Sequence, residues 1–308
     1  MRRPLNRYMQ AASLLLAGLL LTTAAGAQTA AEGLSPTLAN IKKTHVVRLG
    51  YRESSPPFSF MDPSNRPIGY SLELCEAIVE EIGIEVDDAN LRIEYVKVTP
   101  DDRIPAVLQN KIDLECGSTT ANAERARQVA FSPLMFVAGT KLMVPKASII
   151  SAPKDLQGKT VVVTKGTTNE QAMHAVDKKF SLQLTIVASP DDEQSYQMLV
   201  DGKADAFATD DILLYGLIAR HKAQARFKVV GDYLSYDPYG IMFRKGEPQL
   251  AAVVERTFRK LGSNRDLIPL YNKWFVARLP TGEKLGVSIS PQLEEAFKVL
   301  DDSAGASN

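Results

Sequence analysis

The chain has few of the residues on which enzymes and metal sites most often depend. Its 308 residues include two cysteines and three histidines, and the histidines (His45, His174 and His221) are far apart in the sequence. There is no G-x-S-x-G, no H-E-x-x-H and no phosphate-binding loop. These absences argue against a serine hydrolase, a metalloprotease or a nucleotide-dependent enzyme, and we predict neither a cofactor nor a metal.

Long hydrophobic runs are also missing beyond the start of the chain. Three arginines precede an apolar run from Ala11 to Leu21, which is followed by Ala25-Gly26-Ala27, a cleavage site of the A-x-A type. The run is shorter than the roughly 20 apolar residues that a permanent membrane helix requires. We predict that residues 1–27 are an export signal, that the mature chain starts near Gln28 and that the protein is periplasmic. A glutamine at position 28, where a lipoprotein has cysteine, argues against a lipid anchor.

The chain has no excess of either charge, with 36 basic and 36 acidic residues. Removal of residues 1–27 removes three arginines and no acids, which leaves a net charge of about −3. Nucleic acid is therefore not a predicted partner. The roughly 280 remaining residues are enough for two lobes, each with its own hydrophobic core.

The two cysteines, Cys75 and Cys116, would both reach an oxidising compartment after export. Two cysteines in that setting are more often paired than free, so we predict a disulfide between them. It would join the first long helix to the strand that precedes Ser118. The alternative is a pair of buried thiols that act as small apolar residues.

Apolar strand-like segments alternate with amphipathic helical segments from His45 to Phe275, the pattern of parallel sheets covered by helices. Two such series are linked by two crossing segments, Phe136 to Gly139 and Tyr236 to Gly240. We predict an α/β fold with lobe 1 formed by residues 28–137 plus 238–308, and with lobe 2, residues 138–237, inserted into it. The crossing segments would form a hinge on which the lobes close.

Local polar residues predict two helix starts. Ser71 is expected to cap the helix that carries Leu72, Leu74 and Ile78 on its buried side. Asp211 is expected to cap the helix that begins at Ile212.

Hydroxyl and charged residues follow two equivalent strands of the predicted lobes. The run from Leu108 to Ser118 parallels the run from Leu199 to Asp210 once a gap of one residue is allowed. Ligands of open α/β sheets bind beyond the carboxyl ends of strands. We therefore expect Ser118, Thr120 and Arg125 to face Asp210 across a cleft, where an arginine and a carboxylate would bind the two charges of a free amino acid. An ordinary helix cap with a solvated arginine is the alternative.

Three further residues extend this hypothesis. Thr168 follows Gly166 at a predicted helix start in lobe 2 and would bind the same carboxylate as Arg125 from the other side. Arg52 follows the first strand, and Arg103 opens a helix. Single arginines of this kind are usually surface residues. If both point into the cleft, the ligand carries a second carboxylate.

Several stretches closely resemble the glutamate/aspartate-binding proteins of bacterial ABC transporters (solute-binding protein family 3), over about Val46 to Phe275. They are R-E-S-S-P-P-F-S-F from Arg52, G-Y-S from Gly69, R-I-P from Arg103, E-C-G-S-T-T from Glu115 with Arg125 after it, and G-T-T from Gly166. The resemblance implies a type II, Venus-flytrap periplasmic binding protein with two crossover hinge strands. It also implies that the loaded protein docks on an inner-membrane ABC permease complex.

The resemblance implies a role for each candidate residue. Arg125, Thr120 and Thr168 match positions that hold the ligand α-carboxylate, Ser118 and Asp210 match positions that receive the α-ammonium, and Arg52 and Arg103 match the pair that binds the side-chain carboxylate. Two positions depart from the family pattern: Asp192 stands where a histidine contacts the side-chain carboxylate, and Pro100 stands where a serine precedes Arg103. An aspartate there would repel a ligand carboxylate unless it is turned away or paired with Arg103.

The expected function is therefore the capture of glutamate or aspartate for an ABC importer by a monomeric, non-enzymatic protein. Asp192 leaves open a broader receptor that also binds glutamine or asparagine. A periplasmic dehydratase of the cyclohexadienyl type is the alternative from a different class. It needs a general acid in the cleft, for which Glu53 and Asp192 are the candidates.

Overall fold

The computed structural model describes residues 33–305, so the predicted export signal lies outside the described residues. The α-helices of the described part are α1 Pro36–Thr44, α2 Tyr70–Val86, α3 Arg103–Leu108, α4 Thr168–Phe180, α5 Asp192–Val200, α6 Asp211–Arg220, α7 Pro248–Ser263, α8 Leu267–Tyr271 and α9 Pro291–Gly305, and shorter helical turns lie at Arg125–Arg127, Pro153–Leu156 and Asn272–Val276. The strands are β1 Val46–Tyr51, β2 Ser54–Ser55, β3 Ser59–Met61, β4 Pro67–Ile68, β5 Arg92–Lys97, β6 Leu114–Glu115, β7 Val129–Phe131, β8 Phe136–Ala138, β9 Thr140–Pro145, β10 Thr160–Thr164, β11 Thr185–Ser189, β12 Ala206–Asp210, β13 Phe227–Val230, β14 Asp237–Tyr239 and β15 Met242–Arg244.

Two five-stranded sheets have the same pattern of parallel and antiparallel strand pairs. The first sheet has the order β5-β1-β6-β15-β7 and the second has the order β11-β10-β12-β9-β13. In each sheet the first three strands are parallel, and the remaining contacts are antiparallel. Strands β6 and β12 therefore occupy equivalent places, as the internal sequence resemblance predicts.

The two crossing segments pair with each other as strands β8 and β14. Asp237 lies opposite Ala138, and Tyr239 lies opposite Phe136, in an antiparallel ladder. The predicted hinge therefore consists of two hydrogen-bonded strands that run between the sheets. The lobe limits at residues 137–138 and 237–238 agree with the strands that each sheet contains, and they stay a prediction.

The largest core lies around the first sheet and includes the hinge. Phe136 of β8 packs against Phe58 and Phe275, with ring centroids 5.0 and 4.8 Å apart. Leu293 and Phe297 of α9 are buried in the same core. The segment after the second crossing thus packs on the first lobe, as expected. Smaller apolar clusters cover the two faces of the second sheet.

The predicted disulfide between Cys75 and Cys116 is present, and it joins α2 to the segment that follows β6. The two cysteines are separated by 41 residues.

We expect the double variant Cys75→Ala/Cys116→Ala to lose about 3–4 kcal/mol of unfolding free energy, because the open chain regains the entropy of that loop. Urea denaturation measures the loss. Wild-type protein in reductant is the control that keeps both side chains, and an unchanged midpoint there would contradict the prediction.

Both predicted helix caps are wrong. Helix α2 begins at Tyr70 after Gly69, and the Ser71 hydroxyl instead donates to the Gly117 carbonyl at 2.7 Å. Helix α6 begins at Asp211 itself, whose carboxylate accepts a hydrogen bond from Tyr233 at 2.8 Å. In both cases the polar side chain that was predicted to cap a helix forms a hydrogen bond with a residue distant in the sequence instead.

Candidate functional site

The site lies where the parallel strands of both sheets end. Arg52 follows β1, Ser118 and Thr120 follow β6, Asp192 follows β11, and Asp210 ends β12. One cleft brings together seven of the eight predicted site residues with five neighbours. It is lined by Arg52, Pro100, Arg103, Ser118, Thr120, Thr167, Thr168, Asn169, Asp192, Thr209, Asp210 and Leu213. The eighth residue, Arg125, lies behind Thr120.

Arg125 spans from the first lobe to the second. Its Nη1 donates to the Thr120 carbonyl at 3.0 Å, and its Nη2 approaches the Gly166 carbonyl at 3.4 Å. Burial lowers the pKa of this guanidinium, and the charge of Glu115 opposes that effect. The residue begins a single helical turn, Arg125–Arg127.

Arg103 is a buried cation of the site. Its Nη1 donates to the Thr119 hydroxyl at 2.7 Å, and within residues 33–305 its Nε has no hydrogen-bond partner. Burial first, and then the like charge of Arg125, lowers the pKa of Arg103 to about 9. A cation that is held at such a cost would be stabilised by an anion in the cleft.

Glu115 orients Arg103 through Thr119. The Thr119 hydroxyl donates to Glu115 Oε2 at 2.5 Å, so its lone pairs are left to accept from Arg103. Glu115 is completely buried, and its charge opposes the pKa depression of both Arg103 and Arg125. The acidic residue at the start of the E-C-G-S-T-T motif is thus a counter-ion beneath the arginines.

Arg52 and Asp192 face each other across the cleft. Arg52 Nη2 lies 3.6 Å from Asp192 Oδ2, which is close enough for an ion pair and too long for a hydrogen bond. Asp192 also accepts from the Ser55 hydroxyl at 2.9 Å and from the Thr164 hydroxyl at 2.7 Å. Asp192 is therefore neither turned away nor paired with Arg103. It pairs with Arg52 and is held from both lobes.

Thr120 and Thr168 meet at a carboxylate of the hinge. Their hydroxyls donate to Asp237 Oδ1 at 3.1 and 2.8 Å, and Ser235 donates to the other oxygen. Asp237 is 1% exposed. The two threonines predicted to bind a ligand carboxylate therefore already surround a carboxylate of the protein.

Asp210 also lines the cleft and is 3% exposed. Asn169 Nδ2 donates to its Oδ1 at 2.9 Å, and the Tyr239 hydroxyl donates to its Oδ2. Burial first, and then the charge of Asp237, raises the pKa of Asp210 to about 8. An ammonium group beside it would favour the ionised form.

A model of the bacterial extracellular solute-binding proteins, family 3, matches residues 47–277. The chain belongs to this family.

Curated relatives and solved structures agree with the family assignment. An L-glutamate/L-aspartate-binding protein of Pseudomonas aeruginosa is 36% identical over 298 residues, which cover 96% of this chain and 99% of the relative. A glutamate/aspartate import solute-binding protein of Salmonella typhimurium is 34% identical over 300 residues, with coverage of 96% and 99%. A crystal structure of the P235GK mutant of ArgBP from T. maritima matches with a TM-score of 0.70 and 27% identity, and covers 78% of this chain and 100% of that one. The predicted two-lobed fold with crossover hinge strands is thereby confirmed.

Several residues that lie in the cleft or bond to the residues around it were not predicted as part of the site. They are Ser55, Glu115, Thr164, Asn169, Asp237 and Tyr239. Asp237 and Tyr239 lie within the hinge segment that the sequence pattern indicates, and Glu115 lies within the E-C-G-S-T-T motif. For these three residues the sequence indicated a location near the site, although it did not indicate what their side chains contact there.

The second lobe approaches the first at a glycine. Gly166 has φ +74°, and a Cβ there would lie 2.8 Å from the Asp101 Cα. We expect Gly166→Ala to weaken amino-acid binding at least about fivefold, because the added methyl group keeps the lobes apart. Calorimetry measures the change.

Gly158→Ala is the matched control for this prediction. Gly158 has φ +67°, so alanine is strained there too, but no atom lies within 4 Å of the added Cβ. Equal losses of affinity in the two variants would show that backbone strain, and not the contact with Asp101, is responsible.

Metal and membrane features can be assessed over the described part of the chain. Within residues 33–305, no three His, Cys, Asp or Glu side chains are grouped to hold a metal ion. None of the helices in this range has the length and apolar character that crossing a membrane requires.

Proposed function

We propose that this protein binds glutamate or aspartate between its two lobes in the periplasm and delivers it to an inner-membrane ABC permease complex. Residues 1–27 would direct its export and be removed near Ala27, and it would act as a monomer. The observation that carries the proposal is one cleft lined by the buried arginines Arg52 and Arg103 and by Asp210, with the buried Arg125 directly behind Thr120.

The charges of the cleft match those of an acidic amino acid. Arg125 would bind the α-carboxylate with Thr168 and Thr120, whose hydroxyls would turn to it from Asp237, and Asp210 and Ser118 would receive the α-ammonium. Arg52 and Arg103 would share the side-chain carboxylate. Both are 2% exposed, and neither Arg52 Nη2 nor Arg103 Nε has a hydrogen-bond partner within residues 33–305. Buried guanidinium N–H donors that lack a partner favour an anionic ligand that can bind in a bidentate manner.

Calorimetry with a panel of the twenty amino acids tests this specificity. We expect glutamate and aspartate to bind, and neutral or cationic side chains without a carboxyl or amide group to bind far more weakly. The absence of binding by any dicarboxylic amino acid at millimolar concentration would refute the proposal.

The dehydratase alternative has less support. Glu53 lies beside Lys97 Nζ at 2.5 Å, with its side chain 42% exposed, and does not line the cleft. Both oxygens of Asp192 already accept a hydrogen bond from a hydroxyl, and one of them also lies 3.6 Å from Arg52 Nη2. The two curated relatives described above carry the names of binding proteins, which agrees with a non-enzymatic role. Turnover of a prephenate-like substrate would contradict the non-enzymatic role.

A further inference from the structure

Asp192 places a negative charge beside the two arginines of the side-chain subsite. It is 2% exposed and lies at the first position of α5. One oxygen accepts from Thr164 and the other from Ser55, so the carboxylate cannot rotate out of the cleft without breaking two buried hydrogen bonds. Its charge is therefore a fixed part of the subsite.

The fixed carboxylate partly neutralises Arg52. At 3.6 Å, and with both side chains 3% exposed, the attraction between them is much stronger than it would be in water. A ligand carboxylate would meet two cations and one anion here. A neutral amide would meet the same three charges without repulsion from Asp192.

Asp192 also retains the capacity to bind an amide directly. Each carboxylate oxygen has two lone pairs, and Ser55 and Thr164 each use one. An amide N–H of the ligand could therefore donate to Asp192, while the amide oxygen accepts from Arg103, whose Nε has no partner within residues 33–305.

We propose that Asp192 sets the discrimination between acidic and amide side chains, and that glutamine and asparagine are ligands of this cleft together with glutamate and aspartate. The inference rests on the proposed function, because it takes the same cleft and the same α-amino-acid subsites. It assigns to Asp192 the choice between a carboxylate and an amide at the arginine pair.

The test compares glutamate and glutamine on wild type and on Asp192→Asn by calorimetry, at one pH and one salt concentration. The readout is the ratio of the glutamine Kd to the glutamate Kd, since contributions shared by the two ligands, such as lobe closure, cancel in it. In the variant, the asparagine side chain at position 192 has the shape of aspartate and can still form hydrogen bonds with Thr164 and Ser55. We expect a wild-type ratio below about ten, and an increase of at least about tenfold in the variant, because the repulsion is removed.

Glu193→Gln is the matched control. Glu193 is the next residue of α5, and its carboxylate lies 2.9 Å from His221 Nε2, outside the cleft. The same change of charge at this position should leave the ratio as it is in wild type. If Asp192→Asn does not fold, Asp192→Ser removes the same charge with a smaller side chain and is expected to move the ratio in the same direction.

Two results would overturn the inference while the proposed function stands. One is a ratio in the Asp192 variant that is within threefold of wild type or lower. The other is wild-type protein that binds glutamate but not glutamine at millimolar concentration. Wild-type protein that binds neither glutamate nor aspartate would overturn both.

Discussion

Replacement of Arg103 by methionine should lower the affinity for glutamate at least about a hundredfold, since loss of one member of a buried charge pair typically costs a few kcal/mol. Arg103 is 2% exposed, and its Nε has no partner within residues 33–305, so the ligand carboxylate would supply the missing acceptor. Calorimetry with glutamate and aspartate measures the loss.

The same substitution should not destabilise the protein. Burial and the like charge of Arg125 lower the pKa of Arg103 to about 9, which shows that the folded protein holds this charge at a cost. Methionine has a similar length and carries no charge, so we expect an unchanged or higher melting temperature. Opposite effects on binding and on stability are the mark of a residue retained for its ligand.

Arg127→Met is the control, because Arg127 lies near the site, is exposed and carries the same charge. It should change the glutamate Kd by less than threefold. If Arg103→Met changed the Kd as little as this control, Arg103 would have no role in binding the side chain.

The alternation of strands and helices could be predicted from local sequence patterns, because runs of β-branched residues favour strands. Thr160–Thr164 consists of β-branched residues, and the structure has a strand with those limits. The similar runs from Leu108 to Ser118 and from Leu199 to Asp210 also indicated the two strands whose carboxyl ends border the cleft. Fold class and site position therefore follow from short-range information.

The side-chain partners within the cleft did not follow in the same way. Asp192 is oriented by Ser55, which is 137 residues away, and Asp237 is bonded to Thr120, which is 117 residues away. No local pattern contains such pairs. The same cause explains the errors at Ser71 and Asp211, whose polar groups bond to Gly117 and Tyr233.

The affinity of the protein for glutamate should depend on pH because of Asp210. Burial and the charge of Asp237 raise its pKa to about 8, so at neutral pH the carboxyl group is mostly protonated before an amino acid binds. The raised pKa also means that the folded protein binds more protons than the unfolded chain between about pH 4 and 8. Asp210 therefore contributes less stability as the pH rises through that window.

An α-ammonium beside Asp210 requires the ionised carboxylate, so binding below pH 8 releases a proton. The glutamate Kd should then fall about tenfold for each unit of pH between roughly 6 and 8, and should level off above 8. None of the three histidines lines the cleft. Calorimetry at pH 6.5 in two buffers of different ionisation enthalpy should show about one proton released per amino acid bound.

Asp210→Asn separates this effect from other causes. The amide can keep the hydrogen bonds with Asn169 and Tyr239, yet it cannot ionise. Its affinity should be lower than that of wild type at pH 8 and nearly independent of pH from 6 to 8. A wild-type Kd that is constant over this range, or a variant that keeps the slope, would mean that the ammonium group does not bind at Asp210. Asp237, whose buried carboxylate lies close enough to raise the pKa of Asp210, would then be its candidate partner.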